Sequence, residues 1–471
     1  MNEHPLWTYV DTAQSRFKEL SDRVWATPET CYAEKASVAA HLDELRHQGF
    51  RVTENLAGIP TAVMGEAGEG GPVIAILGEF DALAGLSQKA DVFEQDPLEA
   101  GANGHGCGHN LLGSAAMLAA TAVKNWLAET GTPGRVRYYG CPAEEGGAAK
   151  AFMVREGAFD DVDVAVSWHP GSIPGVFKGS SLSNARVDFT FTGRASHAAA
   201  APHLGRSALD AVELMSVGIN YMREHMPDEA RIHYAIIDGG GISPNVVQAH
   251  AKVRYVVRAA TAPEMLKLLA RVLKVAEGAA LMSETQVSHK VLAAVSNLIY
   301  NGPLGDVMQA NLDRLGPPPF TEEDKAYAAK FQATLTEDDI LAAYRSMGIT
   351  EGDRKPLADF VVPAEAPTVE MGGSTDVADV SWVVPTVQVW GANHAIGTQL
   401  HSWQAVAQGK SAPALKGMVH AAALMAATAA DAMTDPDLRA RAKADLAARV
   451  GPAGYVSPLP ENAIPPIAEM A

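Results

Sequence analysis

The sequence is short of what disulfide-stapled, nucleic-acid-binding and membrane-spanning proteins each require. Three cysteines, Cys31, Cys107 and Cys141, in 471 residues are too few for a disulfide framework in a chain of this size. Basic residues are outnumbered, 37 Lys and Arg against 55 Asp and Glu, for a formal net charge of −18. The clustered positive charge that a phosphate backbone demands is missing, which argues against nucleic acid as a partner. A negative surface would also disfavour anionic substrates unless bound cations reverse the sign locally. The longest apolar stretch, around Met418 to Met433, is Ala-rich and broken by His420 and Asp431. That fits a buried helix and not a membrane span, so no membrane association is expected. The first residues, Met1 to Trp7, lack a basic stretch leading into an apolar core, and a cytoplasmic location is expected.

What is present is a globular composition, 47% apolar and 20% charged, at a length that calls for two or more domains. Apolar residues recur at helical spacing from Tyr9 to Trp25 and from Ala36 to Phe50. Val73–Leu77 is a continuous apolar run ended by Gly78, as expected of a strand buried on both faces. A long Ala/Leu-rich helix is predicted over Asn110–Thr130, and further strands over Arg135–Tyr139, Val162–Val166 and Thr386–Trp390. Helices alternating with buried strands predict an α/β domain whose sheet is covered on both sides.

From about Ala185 the pattern changes. Arg186–Phe191 alternates like a half-buried strand, a helix follows from Ser207 to Glu224, strand-like segments run over 231–237 and 250–258, and a helix over Pro263–Ala279. This β-α-β-β-α order predicts a small inserted α+β domain with one open sheet face. The expected division is 1–184 and 291–471 for the two parts of the main domain, and 185–290 for the insert. Gly302–Met347, with Pro317-Pro318-Pro319, reads as an elaboration on the outside, and the tail beyond Val450 is rich in Pro and Gly.

Four short segments carry metal-binding side chains: Gly104–Asn110, Pro142–Gly147, Ser167–His169 and Leu400–Trp403. Cys107, His109, Glu145, His169 and His401 would supply the five ligands that two neighbouring divalent ions need, leaving Glu144 over as a base. In open α/β sheets functional groups gather beyond the carboxyl ends of the strands. Asp81, the Glu144-Glu145 pair and His169 each follow a predicted strand, so three strands deliver them to one edge. Singly these signals are weak. Cys107 and His109 also suit a buried structural cysteine beside a capping histidine, adjacent acids are usually solvated, and a lone histidine is more often a satisfied polar residue than a ligand. His105 reads as a loop residue that makes no metal bond.

Together with Gly78–Leu83, Gly193–Ala198 and Gly373–Val377, these motifs resemble the aminoacylase/carboxypeptidase superfamily of dinuclear metallohydrolases, over essentially the whole chain and in order. Within it they resemble the amidohydrolase branch that contains the indole-3-acetyl-amino-acid hydrolases, and in particular its p-aminobenzoyl-glutamate hydrolase subgroup, which shares Asn110 where the branch usually has Asp. Ala84 stands where Pro is usual. The resemblance implies a zinc-peptidase-like domain with a mostly parallel mixed sheet, and a ferredoxin-like insert that serves as dimerisation and lid domain. It implies Cys107 bridging two ions (manganese or zinc, with cobalt admissible), His109, Glu145, His169 and His401 completing the pair, and Glu144 as general base. It implies Asp81 orienting a ligand, and His197, reaching across from the neighbouring subunit, supporting the oxyanion. Asn245 and Arg258 would hold the substrate. The implied reaction is hydrolysis of an N-acyl or N-aroyl amino acid by a homodimer, with a homologous second subunit as an open possibility. Deamination or other C–N hydrolysis on the same ions, dipeptidase or aminopeptidase action, and a non-enzymatic partner subunit stay open as alternatives.

Overall fold

The computed structural model describes residues 4–349 and 354–470. Its strands in chain order are β1 (Arg51–Glu54), β2 (Val63–Glu69), β3 (Val73–Glu79), β4 (Gly134–Cys141), β5 (Val164–His169), β6 (Ser172–Val176), β7 (Ser183–Thr192), β8 (Arg231–Asp238), β9 (His250–Ala259), β10 (Gln286–Val295) and β11 (Thr386–Ala392). The main sheet runs β1-β2-β4-β3-β5-β11-β6. Its centre, β4-β3-β5-β11, is parallel, and β1, β2 and β6 are antiparallel additions at the two edges. This is the mostly parallel mixed sheet that the resemblance implied, within the α/β layout that the alternation of strands and helices predicted.

Every residue of β3 is buried, because alternate side chains point into two different cores. Ile74 and Ile76 face helices Pro5–Trp25, His109–Thr130 and Ala412–Thr434, while Val73, Ala75 and Leu77 face helices Ala149–Arg155 and Val377–Val383. Each such Ile or Leu contributes about 1.5–3 kcal/mol through burial. Helix His109–Thr130 has the length and apolarity of a membrane span, yet 83% of its most apolar window is buried; its apolarity serves the core.

The second sheet, β10-β7-β9-β8, is antiparallel throughout. With helices Ala208–Met222 and Ala262–Ser283 it makes a β-α-β-β-α-β unit whose strand order, in the unit's own count, is 4-1-3-2, the ferredoxin-like arrangement. Its closing strand β10 is absent from the sequence-based reading, as are the short β1, β2 and β6. One expectation needs correcting. Helix Gly302–Leu315 is no outer elaboration, since Leu304, Met308 and Leu312 are fully buried in the core shared with helix Ala412–Thr434. Strands also run two or three residues beyond their predicted ends, so His169 is itself the last residue of β5.

Candidate metal centre

β3, β4 and β5 are parallel neighbours, so their carboxyl ends open on one edge of the sheet. Asp81 follows β3, Glu144 and Glu145 follow β4, and His169 closes β5. The Gly104–Gly108 loop brings Cys107 and His109 to the same place. Gly108 holds a left-handed backbone (φ +72°), and a Cβ there would meet the Pro170 ring at 3.0 Å; glycine is the residue that fits. The carbonyl of Gly106 accepts the His401 N–H at 2.8 Å, pinning the His401 loop over Cys107. His401 itself sits at φ +61°, a conformation that costs a non-glycine residue about 1 kcal/mol or more and gathers at functional sites.

His109 and His169 are each held at Nδ1 by an oxygen and turn Nε2 toward the cluster. Nδ1 of His109 contacts Asp81 Oδ1 at 2.9 Å, while its buried Nε2 has no hydrogen-bond partner and faces Glu79 Oε2 at 3.4 Å and Glu145 Oε1 at 4.0 Å. His169 directs Nδ1 to the Pro170 carbonyl at 2.9 Å and Nε2 to Cys107 Sγ at 3.5 Å. A carboxylate or carbonyl on one nitrogen and an open second nitrogen is the disposition of a metal-ligating imidazole. The ligand atoms of Cys107, His109 and His169 lie within 4.8 Å of one another, as do those of Cys107, Glu145 and His401. Cys107 belongs to both triads. His401 Nε2 lies 3.2 Å from Glu145 Oε2, and Glu145 Oε1 is buried without a partner. These orphaned, converging thiol, imidazole and carboxylate donors fit two divalent cations of the zinc or manganese kind.

The electrostatics point the same way. Burial, then the anionic neighbours Glu79 and Glu145, push the Glu144 carboxyl well above its ordinary value. Burial and the charge on His109 push His169 down to about 4, leaving the neutral imidazole that metals bind. Burial opposes charge on His109, but Cys107 and Asp81 outweigh it and hold its pKa up; the same anionic surroundings would receive a metal cation at Nε2. Burial alone would raise Asp81, yet His109 and the Glu145 N–H, which donates to Oδ2 at 2.9 Å, bring it below the usual carboxylate range.

A cavity of about 270 Å³ opens over the cluster, lined by Glu144, Arg186, Arg258 and Ser374 as well as Cys107, Glu145, His169 and His401. Seven residues singled out in the sequence therefore converge: Asp81, Cys107, His109, Glu144, Glu145, His169 and His401. Arg258 joins them on the cavity wall, donating to Ser374 Oγ at 2.6 Å. His197 and Asn245 do not. Both are exposed, in loops of the second sheet that face each other through the Ala198 N–H to Asn245 carbonyl bond of 2.9 Å, and neither lines the cavity. Arg186 and Ser374 on the cavity wall went unassigned in the sequence, and so did three buried residues beneath it, Lys150, Glu79 and Asp376. Lys150, fully buried, bridges Glu79 at 2.6 Å and Asp376 at 2.5 Å. Glu79 and Asp376 lie inside the Gly78–Leu83 and Gly373–Val377 motifs, which was the available signal; Lys150 had none beyond its place after Gly147.

The sequence profile of peptidase family M20/M25/M40 matches residues 75–404. One of the p-aminobenzoyl-glutamate hydrolase subunits of Escherichia coli (strain K12) is 44% identical over 474 aligned residues, covering 98% of this chain and 98% of that one. Among solved structures, a dinuclear metal binding peptidase from Bacillus subtilis superposes with a TM-score of 0.54 at 18% identity, covering 89% of this chain and 99% of that one. The aminobenzoyl-glutamate utilization protein from Klebsiella pneumoniae gives 0.55 at 17% identity, covering 88% and 98%. These two likenesses concern the fold.

Proposed function

The chain belongs to peptidase family M20/M25/M40 and is a metal-dependent hydrolase, and from that premise we propose that it cleaves the amide bond of N-acyl- or N-aroyl-amino acids on two divalent ions. The observation that carries the reading is the pair of donor triads sharing Cys107, with Glu144 beside them and outside both. Cys107 would bridge the ions, His109 and Glu145 would bind one or the other, and His169 and His401 would complete the set. Manganese or zinc is proposed, with cobalt compatible. When bound, the ions polarise the amide carbonyl and lower the pKa of water toward neutrality.

Glu144 takes the proton of the attacking water and returns it to the leaving amine. Asp81 holds His109, at the start of helix His109–Thr130, and the Glu145 backbone, just after β4, in register through one carboxylate. The Arg258 guanidinium, on the cavity wall and free of any ion pair among the described residues, meets the substrate carboxylate. The unit from 185 to 290 is proposed as a separate dimerisation and lid domain. Its edge strand β8 leaves Tyr234, Ile236 and Ile237 exposed, a surface suited to a second copy. A homodimer would let His197, with Asn245 nearby, complete the neighbouring site. The E. coli relative is named as one subunit of its hydrolase, so a homologous second subunit is also proposed as a partner.

Active-site complementation tests the shared site. Glu144→Gln and His197→Ala are each expected to be inactive alone. Mixed and re-dimerised in equal amounts, they should regain about a quarter of wild-type sites, because half the dimers are hybrids with one intact site each. Substantial activity of His197→Ala by itself would remove the subunit-crossing role.

A further inference from the structure

The turn that carries Glu144 and Glu145 is gripped from behind by a segment outside every motif so far described. Residues 29–34 connect helix Pro5–Trp25 to helix Lys35–His47. Cys31, Tyr32 and Glu34 are all buried, and none of them lines the cavity.

The turn needs holding. Ala143, immediately before Glu144, sits at φ +57°, and Ala148, just after Gly147, at φ +52°. Left-handed backbone is unfavourable for residues with a Cβ and persists only where the surroundings enforce it. The Ala143 carbonyl accepts the N–H groups of Gly147 and Ala148, each at 2.8 Å, which closes the turn on itself. From outside, Glu34 Oε1 accepts the Ala143 N–H at 2.8 Å, and the Tyr32 hydroxyl donates to the Gly147 carbonyl at 2.8 Å. These two bonds take hold of the two ends of the turn. A Cβ on Gly147 would come within 2.4 Å of the Tyr32 ring, so the ring lies directly against the turn's backbone.

The gripping segment is itself tied down. Glu34 Oε1 also accepts the N–H of Tyr32 at 2.9 Å, which supports that residue at φ +63°. The Glu29 carbonyl accepts the Ala82 N–H at 2.8 Å, and the Cys31 thiol donates to Asp81 Oδ2 at 3.7 Å. Asp81 Oδ2 accepts the Glu145 N–H as well. One segment thus keeps the Asp81 stretch and the Glu144-Glu145 turn in fixed relation. Glu34 belongs to none of the donor groups that could hold an ion among the described residues; its oxygen serves backbone.

We propose that Glu34 and Tyr32 are positioning residues for the hydrolytic centre, setting the Ala143–Gly147 turn so that Glu145 meets its ion and Glu144 faces the cavity. The proposal rests on the two-ion reading of the site and adds to it the residues that aim its carboxylates. A misplacement of about 1 Å at such a centre costs about a hundredfold in rate.

Three variants test it. Glu34→Gln keeps an oxygen acceptor for both N–H groups, Glu34→Ala removes it, and Tyr32→Phe removes only the hydroxyl. Chelator-stripped protein is titrated with manganese chloride by calorimetry, and the loaded protein is assayed for hydrolysis. Glu34→Ala should bind its weaker ion about 10–100-fold less tightly, as when a residue behind a metal ligand is lost, and Tyr32→Phe about fivefold less tightly. Glu34→Gln should stay within about twofold of wild type. In the loaded proteins kcat should fall in the same order with KM little changed, because Arg258 and the cavity wall are left as they are. A merely structural role would lower the unfolding midpoint and leave metal affinity and kcat alone, and that result overturns the proposal. So does a loss in Glu34→Gln as deep as in Glu34→Ala. Should Glu34→Ala fail to fold, Tyr32→Phe decides: affinity and kcat equal to wild type overturn the positioning role. A wild type that takes up no ion would instead remove the two-ion reading, and the positioning role with it.

Discussion

Glu144→Gln is expected to lower kcat about a thousandfold or more while leaving the bound metal near its wild-type amount, since a positioned general base contributes about 10²–10⁴. The substitution keeps the side chain's shape and removes only its ability to take a proton. Glu144 lines the cavity, lies outside both Cys107-containing triads, and is set by burial and by Glu79 and Glu145 to hold a proton readily. Positive ions beside it would lower that affinity and favour the carboxylate that takes a proton from water. Metal analysis gives the experiment its edge. Glu144 also stands in a potential donor group with Glu79 and His109, so a joint loss of metal and activity would make it a ligand. Activity within tenfold of wild type would exclude it as the base.

Lys150→Met is expected to be the most destabilising single change near the site, by about 3–5 kcal/mol, the usual consequence of stripping one partner from a buried ionic group. Lys150, Glu79 and Asp376 are all buried, and the Lys150 backbone N–H donates to Asp376 as well, at 2.9 Å. Burial would lower the ammonium's pKa, but the two carboxylates outweigh it and keep Lys150 charged. Methionine fills similar volume, so what is lost is charge and not packing. The double variant Lys150→Met/Glu79→Gln should recover a large part of the loss, because it no longer buries two uncompensated carboxylates. Urea unfolding curves of the three proteins decide the matter: a single variant within about 1 kcal/mol of wild type would mean that the triad carries little stability.

Both predictions concern residues of one edge, yet only the first was legible in the sequence. Glu144 could be found because an apolar strand stops just before it and Gly146-Gly147 follow. Lys150 could not, since a lysine among alanines reads as a solvated position. Its burial depends on acids from β3 and from the segment before helix Val377–Val383, which meet only in the folded chain. The same contrast runs through the fold. β3 announced itself as a continuous apolar run, β4, β5 and β11 as strand-like runs, and β7 by alternation. β10 did not, because its first half is exposed and its second half buried at four consecutive positions. β2 is interrupted by glycines and β6 by a proline. The left-handed backbone of His401 has no local signature, because it is made by distant segments meeting.

Metal stoichiometry measured together with turnover tests the dinuclear hydrolytic site most directly. The purified protein, stripped with chelator and reconstituted with manganese or zinc, should bind close to two ions per chain and regain hydrolysis of an N-aroyl amino acid in step with the second. Failure to take up either metal would contradict the assignment of Cys107, His109, Glu145, His169 and His401 as a ligand set.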